Sequence, residues 1–135
     1  MENCIFCKII NNEIPSSRIY EDENVFVCLD IHPVNIGHVL VISKNHFKNL
    51  YETPDEVVGK IFCMAKKIAI THKEKLKADG VNIHMNNDIA AGQVIFHTHV
   101  HIIPRYENDG FQHWHGKQYN ENEIASVFDQ IKNAL

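Results

Sequence analysis

Three histidines alternate with other residues in one stretch of the chain, and this alternation is its clearest pattern. His97, His99 and His101 are each separated from the next by one β-branched residue, and two isoleucines follow. A period of two is that of a β-strand, so the pattern predicts a strand with three imidazoles on one face. Same-face neighbours on a strand stand roughly 6.5–7 Å apart. That spacing suits a row of imidazoles that address one bound group.

The rest of the hydrophobic and polar pattern predicts four more strands and three helices. Short apolar or alternating runs predict strands over 18–22, 25–30, 37–44 and 81–86, and helical spacing predicts helices over 4–11, about 54–78 and 121–134. A tight polar turn separates the first two strands, which predicts an antiparallel hairpin. The run at 37–44 is apolar at successive positions, which predicts burial on both faces of that strand.

The long helix has the strongest start signal. Thr53 is the predicted N-cap, Pro54 is the first helical residue, and Glu56 completes a capping box. The helix ends before Asp79-Gly80. Its apolar positions at helical spacing are Val57, Ile61, Ala65, Ile68 and Leu76. The apolar positions of the amphipathic C-terminal helix are Ile124, Val127, Phe128 and Ile131.

These elements predict an α+β fold. Five strands joined mostly by short turns, with one long helix and a C-terminal helix, favour a five-stranded, mostly antiparallel sheet. At 135 residues we expect a single domain over 1–135, large enough to bury a core. The sequence has no internal repeat, low-complexity tract or linker that would divide it.

Composition and charge narrow the classes of partner. Apolar residues make up 44% and charged residues 22% of the chain, which is ordinary for a globular protein. The net charge is −4 and the pI about 6.2, so nucleic acid and anionic membranes are not expected partners. A small phosphate ester is still compatible with this charge, because it needs only a few local hydrogen-bond donors and not a basic surface. The absence of an apolar run of roughly 20 residues or a secretory leader favours a cytoplasmic location.

The cysteines supply a second candidate for chemistry. Cys28 and Cys63 lie in apolar contexts and are interpreted as plain core thiols. Cys4-x-x-Cys7 is typical of a redox motif or of half a zinc site. A redox pair is expected after a strand in a βαβ unit, which this chain does not predict. Zinc needs two further N or S ligands, which a histidine-rich chain can provide, and the alternative is two unlinked thiols.

Two polar residues at strand ends are open to two interpretations each. Asp30 closes an apolar run, where it either projects into a cleft or only initiates a turn. His38 begins the third predicted strand and is either a site residue or a core histidine satisfied by backbone. An imidazole can attack as a nucleophile, transfer protons or bind a metal.

Residues 97–103 resemble the signature of the histidine triad (HIT) family, His-φ-His-φ-His-φ-φ, in which φ is apolar. Only Thr98 departs from it, and its β-branched side chain still suits a strand. Residues 4–15, 29–42 and 86–93 extend the resemblance to bacterial Hint-like members over nearly the whole chain. The resemblance implies the HIT-like fold and a homodimer that hydrolyses nucleotide phosphoramidates or related α-phosphate derivatives.

The resemblance also implies a role for each matching residue. His99 would be the nucleophile that forms a nucleotidyl-histidine intermediate, which water then hydrolyses. His101 would contact a phosphate oxygen or the leaving group, and His38 would support the site from behind. No metal is needed for this chemistry.

The nucleotide would be a purine nucleotide of the AMP type, held at two ends. Asp30 would accept hydrogen bonds from the ribose, and Ile31 would pack on the base. Phosphate oxygens would be held by Asn86, by Gln93 and by backbone amides around Gly92. Family members often carry Ser or Thr at the position of Val94, which keeps the backbone amide but lacks the hydroxyl.

The resemblance further implies a structural zinc ion. Bacterial members that open with Cys-x-x-Cys complete the site with two histidines, and the matching positions here are His46 and His97. With Cys4 and Cys7 these residues would form a closed Cys2His2 site.

Three alternatives remain open at this level. The first is a dinucleoside polyphosphate hydrolase of the same family. The second is a zinc hydrolase whose catalytic metal sits on His-x-His of the triad strand. The third is a nucleotide-binding module with little turnover, favoured only by Val94. The sequence gives no role to the segment His113-Trp114-His115.

Overall fold

The computed structural model describes residues 3–135 and contains the strands and helices that the sequence pattern predicts. The strands are β1 (Arg18–Glu21), β2 (Val25–Leu29), β3 (Val39–Ser43), β4 (Gly80–His84) and β5 (His99–Arg105), and the α-helices are α1 (Ile5–Ile10), α2 (Asp55–Lys75) and α3 (Glu123–Ala134). Two short 3-10 turns lie at Leu50–Glu52 and Ile89–Ala91. The predicted α+β class is confirmed. None of the described helices is both long and apolar enough to cross a membrane.

The five strands form one antiparallel sheet in the order β1-β2-β3-β5-β4. The predicted hairpin of β1 and β2 is therefore confirmed. β5 is inserted between β3 and β4, so the strand that carries the triad is an interior strand and not an edge strand of the sheet. β4 forms one edge of the sheet. This order places the start of β3 and the end of β4 on either side of His101.

The sheet is covered on both faces, by α2 on one and by α1 on the other. The α2 face packs Val41, Val100 and Ile102 against Ile61 and other apolar residues of the long helix. The α1 face packs Phe6 and Ile10 against Phe26, Leu40 and Ile42. All five residues of β3 are buried, so the prediction of burial on both faces is confirmed.

The predicted capping box of α2 is wrong. Pro54 occupies the N-cap position, and no side chain caps the helix. The buried hydroxyl of Thr53 instead donates to the carbonyl of Asn49 at 2.8 Å and lies 2.8 Å from the hydroxyl of Thr98. Thr98 is the one polar residue at the positions that alternate with the histidines. Its hydroxyl is therefore hydrogen-bonded on the face of the sheet that the long helix covers.

Two predicted apolar surfaces are more exposed than their patterns suggest. Leu76 follows the last residue of α2 and is 43% exposed, and Met64 and His72 are buried on the helix instead. Leu76 still packs on Gly37, whose φ of +98° favours glycine and where an added Cβ would lie 2.5 Å from Leu76 Cδ1. The apolar face of α3 is exposed at all four predicted positions.

An ion pair at the end of β5 fixes the turn that follows the sheet. Arg105 donates to both carboxylate oxygens of Asp109, at 2.7 and 2.9 Å. Asp109 also accepts from Asn35 and from the backbone N–H groups of Tyr106 and Phe111. The Arg105 guanidinium, helped by these donors, holds the pKa of the Asp109 carboxyl well below its usual range.

We expect Asp109→Asn to lower the melting temperature at pH 7, with a gap to wild type that closes as the solution is acidified. A carboxyl whose pKa is depressed by folding stabilises the protein above its ordinary pKa of about 3.9 and loses that contribution as the pH falls further. Thermal melts between pH 3 and pH 7 measure the gap. Asp129→Asn, on the exposed face of α3, is the matched control. A gap that stays constant with pH would contradict the assignment.

Candidate active site

The triad histidines share one face of the sheet. His97 lies two residues before β5, and His99 and His101 lie within it. The ring centroids of His99 and His101 are 5.0 Å apart, and Phe6 of α1 packs edge-on against His99 at 4.9 Å. Val100 points to the opposite face, toward α2. The alternation in the sequence therefore describes the two faces of β5 correctly.

His99 is held as a neutral imidazole with one nitrogen free. Its Nδ1 lies 2.6 Å from the backbone carbonyl of His97. A carbonyl oxygen only accepts, so Nδ1 carries the proton and Nε2 keeps its lone pair. His99 is only 8% exposed, and this burial lowers the pKa of its imidazole. A neutral ring with an unprotonated Nε2 is the form in which histidine acts as a nucleophile.

His101 is set in the opposite tautomer by a chain of hydrogen bonds. The backbone N–H of Val34 donates to Nδ1 of His38 at 3.1 Å, so a neutral His38 carries its proton on Nε2. That Nε2 lies 2.9 Å from Nδ1 of His101, which therefore accepts. The proton of His101 is then on its own Nε2. Burial, followed by the neighbouring histidines, lowers the pKa of His101 to about 3.

Asp30 and Ile31 lie beside this relay. One carboxylate oxygen of Asp30 accepts from the backbone N–H of His32 at 2.8 Å, as in an Asx turn. The other lies 3.6 Å from Nε2 of His38. Asp30 thus initiates a turn and also reaches the site. Ile31 is 78% exposed and offers an apolar surface next to the carboxylate.

Residues 86–94 belong to the connection between β4 and β5. Gly92 has a φ of +88°, and its carbonyl accepts from the side chain of Asn86 at 3.3 Å. Gln93, which the resemblance assigns to the phosphate, donates from its amide NH2 to the carbonyls of Lys48 and Ile95, and its role at the phosphate stays a prediction. Its amide oxygen accepts from the N–H of Asp88. Gln93 therefore braces the loop, and the Val94 side chain is 85% exposed.

A separate cluster of sulfur and nitrogen atoms lies at the N-terminal end of β5. One ligand atom from each of Cys4, Cys7, His46 and His97 lies within 4.8 Å of the others. Sγ of Cys4 and Nδ1 of His97 are 3.3 Å apart, as are Sγ of Cys7 and Nδ1 of His46. Nε2 of His97 is 2.8 Å from the carbonyl of Ser43 and must donate to it, so Nδ1 keeps its lone pair toward the thiols.

A second group of donor atoms is formed by Asp30, His38 and His101. It does not include His99, and the 2.9 Å contact between His38 and His101 is a hydrogen bond between two rings. The geometry thus matches a proton-bearing relay better than a metal on His-x-His of the triad strand.

One further histidine of the site was not identified from the sequence. His84, the last residue of β4, is paired in register with His101, and the two rings stack at 4.8 Å with an interplanar angle of 28°. The pattern placed His84 in a strand but gave no information about which strand lies beside β5. His113-Trp114-His115 lies outside the helices and strands, and Trp114 is 97% exposed.

A histidine triad on an interior strand of a five-stranded antiparallel sheet, with a histidine relay behind it, defines the class of histidine-triad proteins. The HIT domain matches residues 11–108. Protein hit of Bacillus subtilis is 44% identical over 138 residues, covering 99% of this chain and 95% of that protein. The chain therefore belongs to the HIT domain family.

Two further relatives bear on the site. Adenylylsulfatase HINT3 of Arabidopsis thaliana is 46% identical over 110 residues, covering 79% of this chain and 54% of that protein. The crystal structure of a Zn-bound histidine triad family protein from Mycobacterium smegmatis superposes with a TM-score of 0.79 at 37% identity, covering 99% of both chains. The family includes nucleotide-binding proteins and nucleotide hydrolases.

Proposed function

We propose that the protein hydrolyses nucleotide α-phosphate derivatives, of the phosphoramidate type, through a covalent nucleotidyl-His99 intermediate. The observation that carries the proposal is the pair of opposite tautomers. Nε2 of His99 keeps a lone pair, whereas Nε2 of the adjacent His101 carries a proton. A nucleophile and a donor thus stand side by side on one face. The Arabidopsis relative is an adenylylsulfatase, which supports chemistry at a nucleotide α-phosphate.

The reaction proceeds in two displacements. In the first, Nε2 of His99 forms a bond to the α-phosphorus and the bond to the leaving group breaks, with its electron pair going to the leaving atom. An amine leaves neutral after taking up one proton from solvent water, and the Nε2–H of the neutral His101 ring donates a hydrogen bond to the departing group. In the second, water attacks phosphorus, the P–N bond to His99 breaks, and the proton consumed earlier is released.

The nucleotide is proposed to lie with its ribose and base toward Asp30 and Ile31. A carboxylate placed beside an anionic ligand is tolerated only at the sugar end, where hydroxyl groups donate to it. Asn86 has one amide hydrogen in a bond to Gly92 and a second available for a phosphate oxygen. The backbone N–H of Val94 is a further candidate, whereas those of Gly92 and Gln93 already donate to the carbonyls of Ile89 and Asp88. The side chain of Gln93 holds this loop in place.

Quenched-reaction mass spectrometry tests the proposed function. Wild-type protein mixed with adenosine 5′-phosphoramidate should gain the mass of one AMP group and release AMP, and peptide fragmentation should locate the group on His99. A chiral α-phosphorus gives a second readout, because two displacements retain its configuration and one displacement inverts it. Inversion of configuration, or an adduct on another residue, would overturn the covalent mechanism. Binding without AMP formation would favour a nucleotide-binding module.

We propose that Cys4, Cys7, His46 and His97 hold a structural zinc ion. Zn–S bonds of about 2.3 Å and Zn–N bonds of about 2.0–2.1 Å place tetrahedral neighbours roughly 3.3–3.8 Å apart. The sulfur–nitrogen distances of 3.3 and 3.6 Å match that range, and the Nδ1 lone pair of His97 faces the thiols. When bound, zinc would cross-link the start of the chain to β5. It takes part in no step of the reaction.

We also propose that two copies of the chain associate. β4 is an edge strand, and Ile83 on it lies near exposed apolar residues of α2, among them Phe62 and Ile70. Lone apolar residues are ordinary on a surface, but a contiguous apolar strip beside a free strand edge is typical of an interface. Light scattering on the purified protein distinguishes a monomer of 15.6 kDa from a dimer.

A further inference from the structure

His84 extends the row of imidazoles beyond the triad. It is the register partner of His101, so its side chain points to the same face of the sheet, and its ring stacks on that of His101. A stacked pair of rings makes no hydrogen bond between its members. The nitrogen atoms of the exposed His84 therefore remain available to a ligand bound at the leaving-group side of His101.

His84 also lines a cavity of about 470 Å³ that is rich in hydrogen-bond donors. Side chains with N–H groups contribute most of its wall, among them Asn82, Asn86, Gln112 and His113. Arg105 also lines the cavity, but its guanidinium donates to Asp109, to Asn82 and to the carbonyl of Phe111. No carboxylate lines this cavity among residues 3–135, although the chain carries 17 acidic residues. A donor-rich wall without acidic groups suits a ligand that is rich in acceptors or negatively charged.

We propose that His84 is a specificity-determining residue that favours oxyanion leaving groups, such as sulfate or phosphate, over amines. This inference rests on the proposed function, because it assigns the cavity to the group that leaves the α-phosphorus. When the P–O bond breaks and the P–N bond to His99 forms, the departing oxyanion keeps the electron pair and needs no proton. Its distal oxygen atoms then accept a hydrogen bond from the His84 ring. A departing neutral amine offers no such oxygen atoms.

Burial lowers the pKa of His84, so the ring is chiefly a neutral donor at pH 7. One ring nitrogen of a neutral imidazole carries a proton, which is sufficient for one hydrogen bond. The charge on the leaving group grows as the P–O bond breaks, so this bond strengthens in the transition state. The effect of His84 should therefore fall mainly on kcat rather than on KM.

The test compares two substrates that share the nucleotide and differ in the leaving group: adenosine 5′-phosphosulfate and adenosine 5′-phosphoramidate. We expect His84→Leu to lower kcat/KM for the phosphosulfate by about 10-fold, the loss of one hydrogen bond to a charged group, and to change that for the phosphoramidate by less than about 2-fold. His84→Gln, which keeps an N–H donor, should recover part of the loss. His115→Leu removes a histidine elsewhere and is the matched control.

Each other result has a distinct meaning. An equal loss with both substrates in His84→Leu would show that His84 only supports His101, and no loss with either would show that it does not meet the leaving group. Both overturn the inference and leave the proposed function intact. A wild-type protein that hydrolyses neither substrate would overturn the proposed function, and the role of His84 with it.

Discussion

His99→Ala should lower kcat/KM for adenosine 5′-phosphoramidate by at least about 10³-fold, or about 4 kcal/mol of transition-state free energy. Loss of the nucleophile removes the covalent route, and what remains is the hydrogen bonding of the phosphate and the leaving group. Nucleotide should still bind, because Asp30, Ile31 and the loop at 86–94 are untouched. Initial rates and equilibrium binding of AMP, measured on the same preparations, separate the two effects.

The comparison needs a variant that loses a histidine without losing the site. His115→Ala serves, since this residue is exposed and lies outside the strands and helices. Its activity should match that of wild type, and the melting temperature of His99→Ala should show that the domain is folded. Residual activity in His99→Ala within about 10-fold of wild type would mean that water attacks phosphorus directly, with the histidines acting only as acids and bases.

Cys4→Ser should remove one zinc ion per chain and lower the melting temperature by about 10–20 °C. A ligand present at about 1,000 times its Kd stabilises the folded state by about 4 kcal/mol, and each kcal/mol shifts the melting temperature of a domain of this size by about 3–5 °C. The effect is expected to be large because the ion would join α1 to β3 and β5 across 93 residues of sequence. Elemental analysis and thermal melts measure the two quantities.

Cys63→Ser is the matched control, because Cys63 is a free thiol on α2 that is exposed, so its predicted place in the core is wrong. It should keep its zinc and its melting temperature. Chelator added to wild type should reproduce the melting temperature of Cys4→Ser, while turnover below that temperature should continue. Zinc-loaded wild type that melts at the same temperature as Cys4→Ser would contradict the structural site. Immediate loss of turnover in the still-folded protein would instead favour a catalytic metal.

Much of the fold was predictable because local patterns determine it. The alternation around His99 identified β5 and its two faces, and the continuous apolar run identified β3 as a strand buried on both sides. The capping of α2 was mispredicted because a buried partner, Thr98, competes for the hydroxyl of Thr53. Propensity at a helix start describes an isolated helix, whereas the tertiary contact decides which bond the side chain makes.

The site was predictable as far as the residues lie on one strand or match the family signature. What the sequence alone could not supply is strand order, which brings His84 of β4 next to His101 of β5. The sequence alone also could not show that the amide NH2 of Gln93 is already hydrogen-bonded within the protein. One of the carbonyls that accept from it belongs to its neighbour Ile95, but the other belongs to Lys48 in a distant loop. Contacts between remote segments follow from packing, which a periodic pattern does not encode.

The group that orients the proposed nucleophile belongs to the main chain, since Nδ1 of His99 donates to the carbonyl of His97. Every residue type carries that carbonyl, so no codon change at position 97 deletes the acceptor. Inherited variation can disturb the bond only by bending the backbone or by altering His99 itself. Substitutions of neighbouring side chains therefore leave this orienting hydrogen bond in place. We expect natural variants to differ more in substrate preference than in the identity of the attacking atom.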